Sequence, residues 1–279
     1  MVQRPLGNHH DGPDTLLVTS DTTQTEPVRK ATANETEELR KLITRAQVVL
    51  WDFDGPICHL FAQHPAAGVA DEFAKWLASR GLRGLVTDSE RDTLDPQVLL
   101  RAVDRRHPKS DLVAELEERL TTEELRATRT ALPTAYADVL IQTWRAGGAR
   151  MAVTTNNSPR AVRAYLDVRG LTPCFAPHVY GRTQDLHRLK PDPHCLNRAL
   201  TAMGAAPAAA LMIGDSLSDL EAADHARVPF LGYARNERKA KLLAEAGADH
   251  VVDSLEPLLE IVQRHAVPGS PTSPSAGPN

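Results

Sequence analysis

Cysteine is scarce and its spacing carries no pattern: Cys58, Cys174 and Cys195 form neither a CxxC pair nor a metal-ligand set. That sets aside a disulfide scaffold and a zinc site, and reduced thiols suit a cytoplasmic protein. Excess positive charge is missing as well. A formal net charge of −4 and a pI near 6.3 offer no bulk electrostatic hold on nucleic acid. Aromatic residues are 4% of the chain, and few fall between 58 and 131, which argues against a platform for a stacked nucleobase there. No apolar run approaches a membrane span, and no basic-then-apolar signal pattern opens the chain, so no membrane partner is expected. What remains is the composition of an ordinary globular protein, 42% hydrophobic and 24% charged over 279 residues. That length holds one large domain or two modest ones.

The ends are poor in apolar periodicity. Residues 1–33 are rich in Thr, Asp, His and Pro, and PGSPTSPSAGPN closes the chain, so disordered tails are expected at 1–33 and 266–279. NETEELRKLITRA predicts a helix capped by Asn34, and VVLWDFD, residues 48–54, predicts a buried strand. From 58 to 131 the pattern reads as wholly helical: ADEFAKWLASRG, PQVLLRAVDRR, SDLVAELEERL and TTEELRATRTAL, with LVT at 85–87 ambiguous. Apolar strands then alternate with helices to the end of the core: ARMAVTTN, HVYGR, ALMIGDS, PFLGYA and HVVDS. Such alternation indicates an α/β fold, a Rossmann-like doubly wound parallel sheet. The expected division is an α/β core of residues 34–57 and 132–265, interrupted by an all-helical insert of residues 58–131.

In an open parallel sheet, ligands bind at the carboxyl ends of the strands. The polar residues there are Asp52 and Asp54 on the first strand, Thr154, Thr155 and Asn156 on ARMAVTTN, and Asp215 on ALMIGDS, with Asp219 one helical turn further. Lys190 stands in the loop LKPDP. Singly, each has a plain explanation. A DxDG is often a turn, hydroxyls satisfy backbone groups, and Ser216 with Asp219 makes a capping box. Together they place several carboxylates in one crevice, where each like-charged pair about 4 Å apart costs roughly 4 kcal/mol. A hard divalent cation removes that conflict, and ligands that are all oxygen point to Mg²⁺. With Lys190, Thr155 and Asn156 supplying charge and donors for a phosphate, the set reads as a phosphoryl-transfer site.

With WDFDGP, VTTN, LKPDP and MIGDSLSD in this order, the chain resembles the haloacid dehalogenase superfamily, most of all its phosphoglycolate phosphatase-like and β-phosphoglucomutase-like branch. The resemblance covers residues 47–57 and 132–262, and the helical insert is similar to that family's type I cap. It implies a Mg²⁺-dependent phosphatase acting on a small phosphorylated metabolite. Asp52 is the implied nucleophile, forming an aspartyl-phosphate, and Asp54 the implied general acid and base. Asp52, Asp54 (through its backbone carbonyl) and Asp215 are the implied metal ligands. Thr155 and Lys190 bind the phosphoryl group, Asn156 shapes the site, and Asp219 orients the lysine or a metal-bound water. A phosphomutase built on the same core, or a non-catalytic binding module of this fold, remain the alternatives. The expected assembly is a monomer or a homodimer.

Overall fold

A short run of apolar residues has no polar face to turn to water, so it is stable as a strand only when both faces of its sheet are covered. The computed structural model describes residues 33–266 and has that arrangement. Helix α1 (Ala33–Arg45) leads into β1 (Val48–Trp51), which is followed by the two-residue strand β2 (Cys58–His59). Helices α2 (Ala66–Ser79), α3 (Asp88–Asp92), α4 (Pro96–Arg106) and α5 (Asp111–Ala127) come next, and β3 (Leu132–Pro133) pairs antiparallel with β2 as the chain returns. The remainder is α6 (Ala137–Ala146), β4 (Arg150–Thr154), α7 (Pro159–Val168), α8 (Thr172–Phe175), β5 (Val179–Tyr180) and α9 (His194–Met203). It continues as β6 (Ala210–Gly214), α10 (Leu217–Ala226), β7 (Phe230–Tyr233), α11 (Glu237–Glu245), β8 (Val251–Val252) and α12 (Glu256–Ala266).

Six strands form one parallel sheet in the order β5-β4-β1-β6-β7-β8, the doubly wound α/β architecture expected from the alternation. Successive residues of β1 point to opposite faces. Val49 and Trp51 enter an apolar layer with α1, α6, α7 and α12, while Val48 and Leu50 enter another with α9 and α10. All four are fully buried, which stabilises the sheet by about 1.5–3 kcal/mol for each side chain. The winding reverses at β1. After the helical insert the chain goes outward through β4 and β5, then crosses to β6 and continues through β7 and β8. The carboxyl ends of β1, β4 and β6 therefore open onto one crevice.

The inserted helices make an apolar cluster of their own from Phe73, Leu77, Leu99, Leu100, Leu116 and Leu120. Leu186 and Leu189, from the segment between β5 and α9, join it and tie the insert to the sheet.

Several elements differ from the sequence reading. SDLVAELEERL and TTEELRATRTAL are a single helix, α5, because the two threonines between them do not act as caps. Thr122 Oγ1 donates back to Glu118 O at 2.9 Å and Thr121 Oγ1 to Glu117 Oε1 at 3.0 Å, while Leu116 and Leu120 continue one buried stripe. Strand β2 stands at the start of the stretch expected to be wholly helical. The ambiguous LVT becomes the end of a 3₁₀ turn, Arg83–Leu85, and the residues before α3, where Thr87 forms a capping box with Glu90. Helix α12 was not anticipated. The expected tails lie outside the described residues except for Ala33 and Ala266, which begin α1 and end α12. Among the described residues no helix is long and apolar enough to cross a membrane.

Candidate active site

The register of the sheet brings the key residues level. Trp51 of β1 sits opposite Val153 of β4 and Ile213 of β6. Asp52 continues the strand by one residue, its N–H donating to Ile213 O at 2.9 Å. Lys190 reaches in from the loop before α9 and is almost completely buried. Its Nζ donates to Asp52 Oδ1 at 2.8 Å, to Thr154 O at 2.9 Å and to Asp219 Oδ1. Carboxylate oxygens of Asp52, Asp215 and Asp219 all lie within 4.8 Å of one another.

Asp219 resolves the choice between cap and site by doing both. Its Oδ2 accepts from the N–H groups of Asp215 and Ser216, at 3.1 and 3.0 Å, and from Ser216 Oγ at 2.7 Å, while Ser216 Oγ accepts from Asp219 N–H. This is the capping box of α10. Its Oδ1 is left for Lys190. Gly214 allows the arrangement, since a Cβ there would lie 2.5 Å from that of Asp219.

Asp54 stands apart from the three clustered carboxylates. Its Oδ1 accepts from Leu60 N–H at 2.9 Å, and the chain turns sharply after it, with Gly55 N–H donating to Cys58 O at 2.7 Å. Gly55 has a φ of +132°, and a Cβ on it would fall 2.3 Å from Asp215 Oδ2. Only glycine meets both demands. Thr155 is buried, and its Oγ1 donates to Asn157 Oδ1 at 3.0 Å and accepts from Asn157 N–H at 3.2 Å. Both amide atoms of Asn156 are engaged with the backbone of Lys190: Oδ1 accepts from its N–H at 2.8 Å, and Nδ2 donates to its carbonyl at 3.1 Å. Asn156 thus aims the lysine.

The electrostatics are those of a crowded acidic cluster. Burial, with Asp219 beside it, raises the Asp52 carboxyl to about 7 despite Lys190. Burial raises Asp54 to about 6, against the pull of the Leu60 N–H. Burial also raises Asp215 to about 6, against the nearby Lys239 ammonium. Lys190 is itself weakened as an acid: burial disfavours its charge, but Asp219 and Asp52 more than reverse this and hold it protonated.

Two sets of residues were not found from the sequence. Lys239, in the first turn of α11, donates to Asp215 Oδ2. It follows the carboxyl end of β7, so the strand-end rule could have found it, but no motif marks it. The second set is a buried ion pair. Arg182 Nη1 and Nη2 donate to Glu124 Oε1 and Oε2 at 2.8 and 3.0 Å, with further bonds to Glu117, Thr121 and the Asn156 carbonyl. Glu124, on α5 of the insert, also accepts from Asn157 Nδ2 at 3.0 Å and Ser158 N–H at 2.9 Å. A helix of the insert thereby holds the loop that carries Thr155 and Asn156.

The donor set fits a hard divalent cation. Three carboxylates offer oxygen only, burial and neighbouring carboxylates raise the carboxyls of Asp52 and Asp215, and Gly55, having no side chain, lets the chain turn pass close to Asp215 Oδ2. Asp219 is the least free of the three, because both its oxygens already hold protein donors.

Comparison with known proteins bears on the family and the fold. A family model described as a haloacid dehalogenase-like hydrolase matches residues 46–227. Phosphoglycolate phosphatase of Thiobacillus denitrificans is 36% identical over 115 residues, 41% of this chain and 50% of that one. Phosphoglycolate phosphatase 1 of Pseudomonas aeruginosa is 31% identical over 157 residues, 54% of this chain and 57% of that one. The chain thus spans about half the length of these curated relatives. Among solved structures, CbbY from Rhodobacter sphaeroides in complex with phosphate superposes with a TM-score of 0.56, covering 78% of this chain and 99% of that one. Its sequence is 22% identical, so that likeness is one of fold.

Proposed function

From the premise that this chain belongs to the haloacid dehalogenase-like hydrolase family, we propose that it is a Mg²⁺-dependent phosphatase of a small phosphorylated metabolite, working through an aspartyl-phosphate. One observation carries the reading: a buried lysine ammonium bridges Asp52 and Asp219, with Asp215 against the same cluster. The helices α2–α5 serve as the cap over this crevice.

Asp52 is the nucleophile. Lys190 opposes the burial that raises the Asp52 carboxyl, and aims that group; in the ionised form one carboxylate oxygen bonds to phosphorus as the ester P–O bond breaks. Asp54, whose carboxyl burial raises to about 6, is protonated more often near neutral pH than an ordinary aspartate and gives that proton to the leaving oxygen. In the second half, water attacks the phosphorus, its proton goes to Asp54, and inorganic phosphate leaves with Asp52 restored. Lys190 and Thr155 hold the phosphoryl oxygens once the lysine releases one of its three protein acceptors and the Thr155 hydroxyl turns away from Asn157 Oδ1, and Asn156 keeps the lysine in register. Asp52, the Asp54 backbone carbonyl and Asp215 hold the Mg²⁺, while Asp219 positions Lys190. When bound, the cation offsets the carboxylate charge and polarises the phosphoryl group. Lys239 then has to give up Asp215.

The test is turnover of p-nitrophenyl phosphate and a panel of phosphorylated metabolites by the purified protein with Mg²⁺. Activity is expected, with loss on chelation and in Asp52→Asn. No turnover, or turnover that survives Asp52→Asn, removes the reading.

A further inference from the structure

Beneath α4 and α5 of the insert lies a cavity of about 260 Å³, and Asp54 forms part of its wall. That volume is about nine waters, enough for a small organic group. Asp54 is the group that protonates the departing oxygen in the reading above, so the leaving group sits on its side of the phosphorus. The cavity is therefore where the leaving group goes, and its lining describes what that group is.

Its apolar surface comes from Phe61, Ala66, Leu94, Pro96 and Leu120. Leu94 is the most telling. It is 53% exposed and its φ is +54°, a left-handed conformation that a leucine adopts at a cost. A large apolar side chain held half in solvent, in a strained backbone, at the rim of a cavity is placed for contact with something apolar. The polar lining is acidic or neutral. Asp95 accepts from Gln97 N–H at 2.8 Å and caps α4, and Glu124 is neutralised by Arg182. The Gln97 side chain supplies an amide. Among the described residues no Lys, Arg or His lines this cavity. The cations that act on Asp54 are Lys239 and Arg235, and both belong to the α11 side, outside the cavity wall.

We propose that the leaving group is small, uncharged and largely apolar, with at most a hydrogen-bonding group for Gln97, and that substrates with a second anionic group are rejected. An added carboxylate would be stripped of water beside the buried Asp54, with the exposed Asp95 at the rim and no cation in the lining to receive it. The curated relatives are named for phosphoglycolate, whose leaving group carries such a carboxylate. The cavity of this chain does not suit it.

This inference rests on the phosphatase reading, and one experiment separates the two. With Mg²⁺ present, kcat/KM is measured for 2-phosphoglycolate, for its neutral isostere isobutyl phosphate, and for p-nitrophenyl phosphate. The expected ratio of isobutyl phosphate to 2-phosphoglycolate is at least about tenfold. Leu94→Lys, which brings a cation to the rim, is expected to lower that ratio by about tenfold or more. A smaller or inverted ratio in the unmodified protein, with p-nitrophenyl phosphate turned over, overturns this inference and leaves the phosphatase reading standing. No turnover of any ester overturns both. A ratio indifferent to Leu94→Lys in a folded variant overturns the placement of the leaving group in this cavity.

Discussion

A buried ammonium shared by two aspartates is easier to lose as a whole than in part. Lys190→Met would leave Asp52 and Asp219 facing each other without a counter-charge, and removing one partner from such a buried set costs about 3–5 kcal/mol. Urea unfolding without metal is expected to show a loss of that order, together with loss of turnover. Gly55→Ala acts at the same cluster from the backbone side. Its Cβ would meet Asp215 at 2.3 Å in a conformation closed to alanine. Destabilisation of at least about 1–3 kcal/mol and weakened Mg²⁺ binding are expected by unfolding and metal titration.

The carboxylates also set a pH dependence. Asp215 moves from 3.8 to about 6 on folding, so the folded protein holds that proton more tightly than the unfolded chain. The resulting penalty is absent below about pH 4, grows as the pH rises, and is complete above about pH 6, where it approaches about 3 kcal/mol. Asp54 shifts in the same direction. Mg²⁺ relieves the penalty only where the ligands are ionised. The cation should therefore raise the unfolding temperature at pH 7.5 by roughly 5–10 °C and far less at pH 5. Equal shifts at both pH values would contradict the assignment of these carboxylates.

At the scale of elements, the link to test is the one from α5 to the loop after β4. Glu124→Ala leaves Arg182 buried with fewer partners and is expected to cost about 3–5 kcal/mol. Replacing both with apolar residues, Glu124→Leu with Arg182→Met, removes the buried charges together and should restore much of the stability. Activity should stay low in the double variant, because Asn157 and Ser158 lose the carboxylate that holds them. Recovery of stability together with full kcat would reduce the ion pair to a structural role.

The same elements show what a sequence can and cannot disclose. The strands were legible because VVLW and ALMIG are unbroken apolar runs that a two-faced parallel sheet requires. Asp52, Lys190, Asp215 and Asp219 were legible because they follow such runs or stand in short motifs. The unity of α5 was not, since Thr121 and Thr122 look like a cap until their hydroxyls are seen bonding within the helix. Helix α12 carries Pro257 in its first turn, where a proline is tolerated because its missing N–H has no intrahelical partner to lose. Glu124, Arg182 and Lys239 are ordinary charged residues in sequence. Tertiary packing alone brings Arg182 against Glu124, 58 positions away, and Lys239 against Asp215, 24 positions away.

At the scale of the whole molecule, the six-stranded sheet carries the clustered carboxylates at its strand ends, and the inserted helices have an apolar core of their own. The insertion point, directly after Asp54 and Gly55, lets one turn of chain carry both Asp54 and the entry to the inserted helices. The turn is held on the far side as well, where Thr134 Oγ1, just past β3, donates to Gly55 O at 2.5 Å. The two halves of the proposed chemistry are thereby separable: Asp52 continues a strand of the sheet, while Asp54 lines the cavity beside α4 and α5.

That separation gives the most direct test. With p-nitrophenyl phosphate the leaving group needs no proton, so Asp54→Asn should form the phosphoenzyme yet hydrolyse it slowly. Acid quenching followed by peptide mass spectrometry should find a phosphoryl group on Asp52, dependent on Mg²⁺ and absent in Asp52→Asn. Turnover of the ester with no phosphoryl group on Asp52, or with the label on another residue, would contradict the assignment of Asp52 as nucleophile.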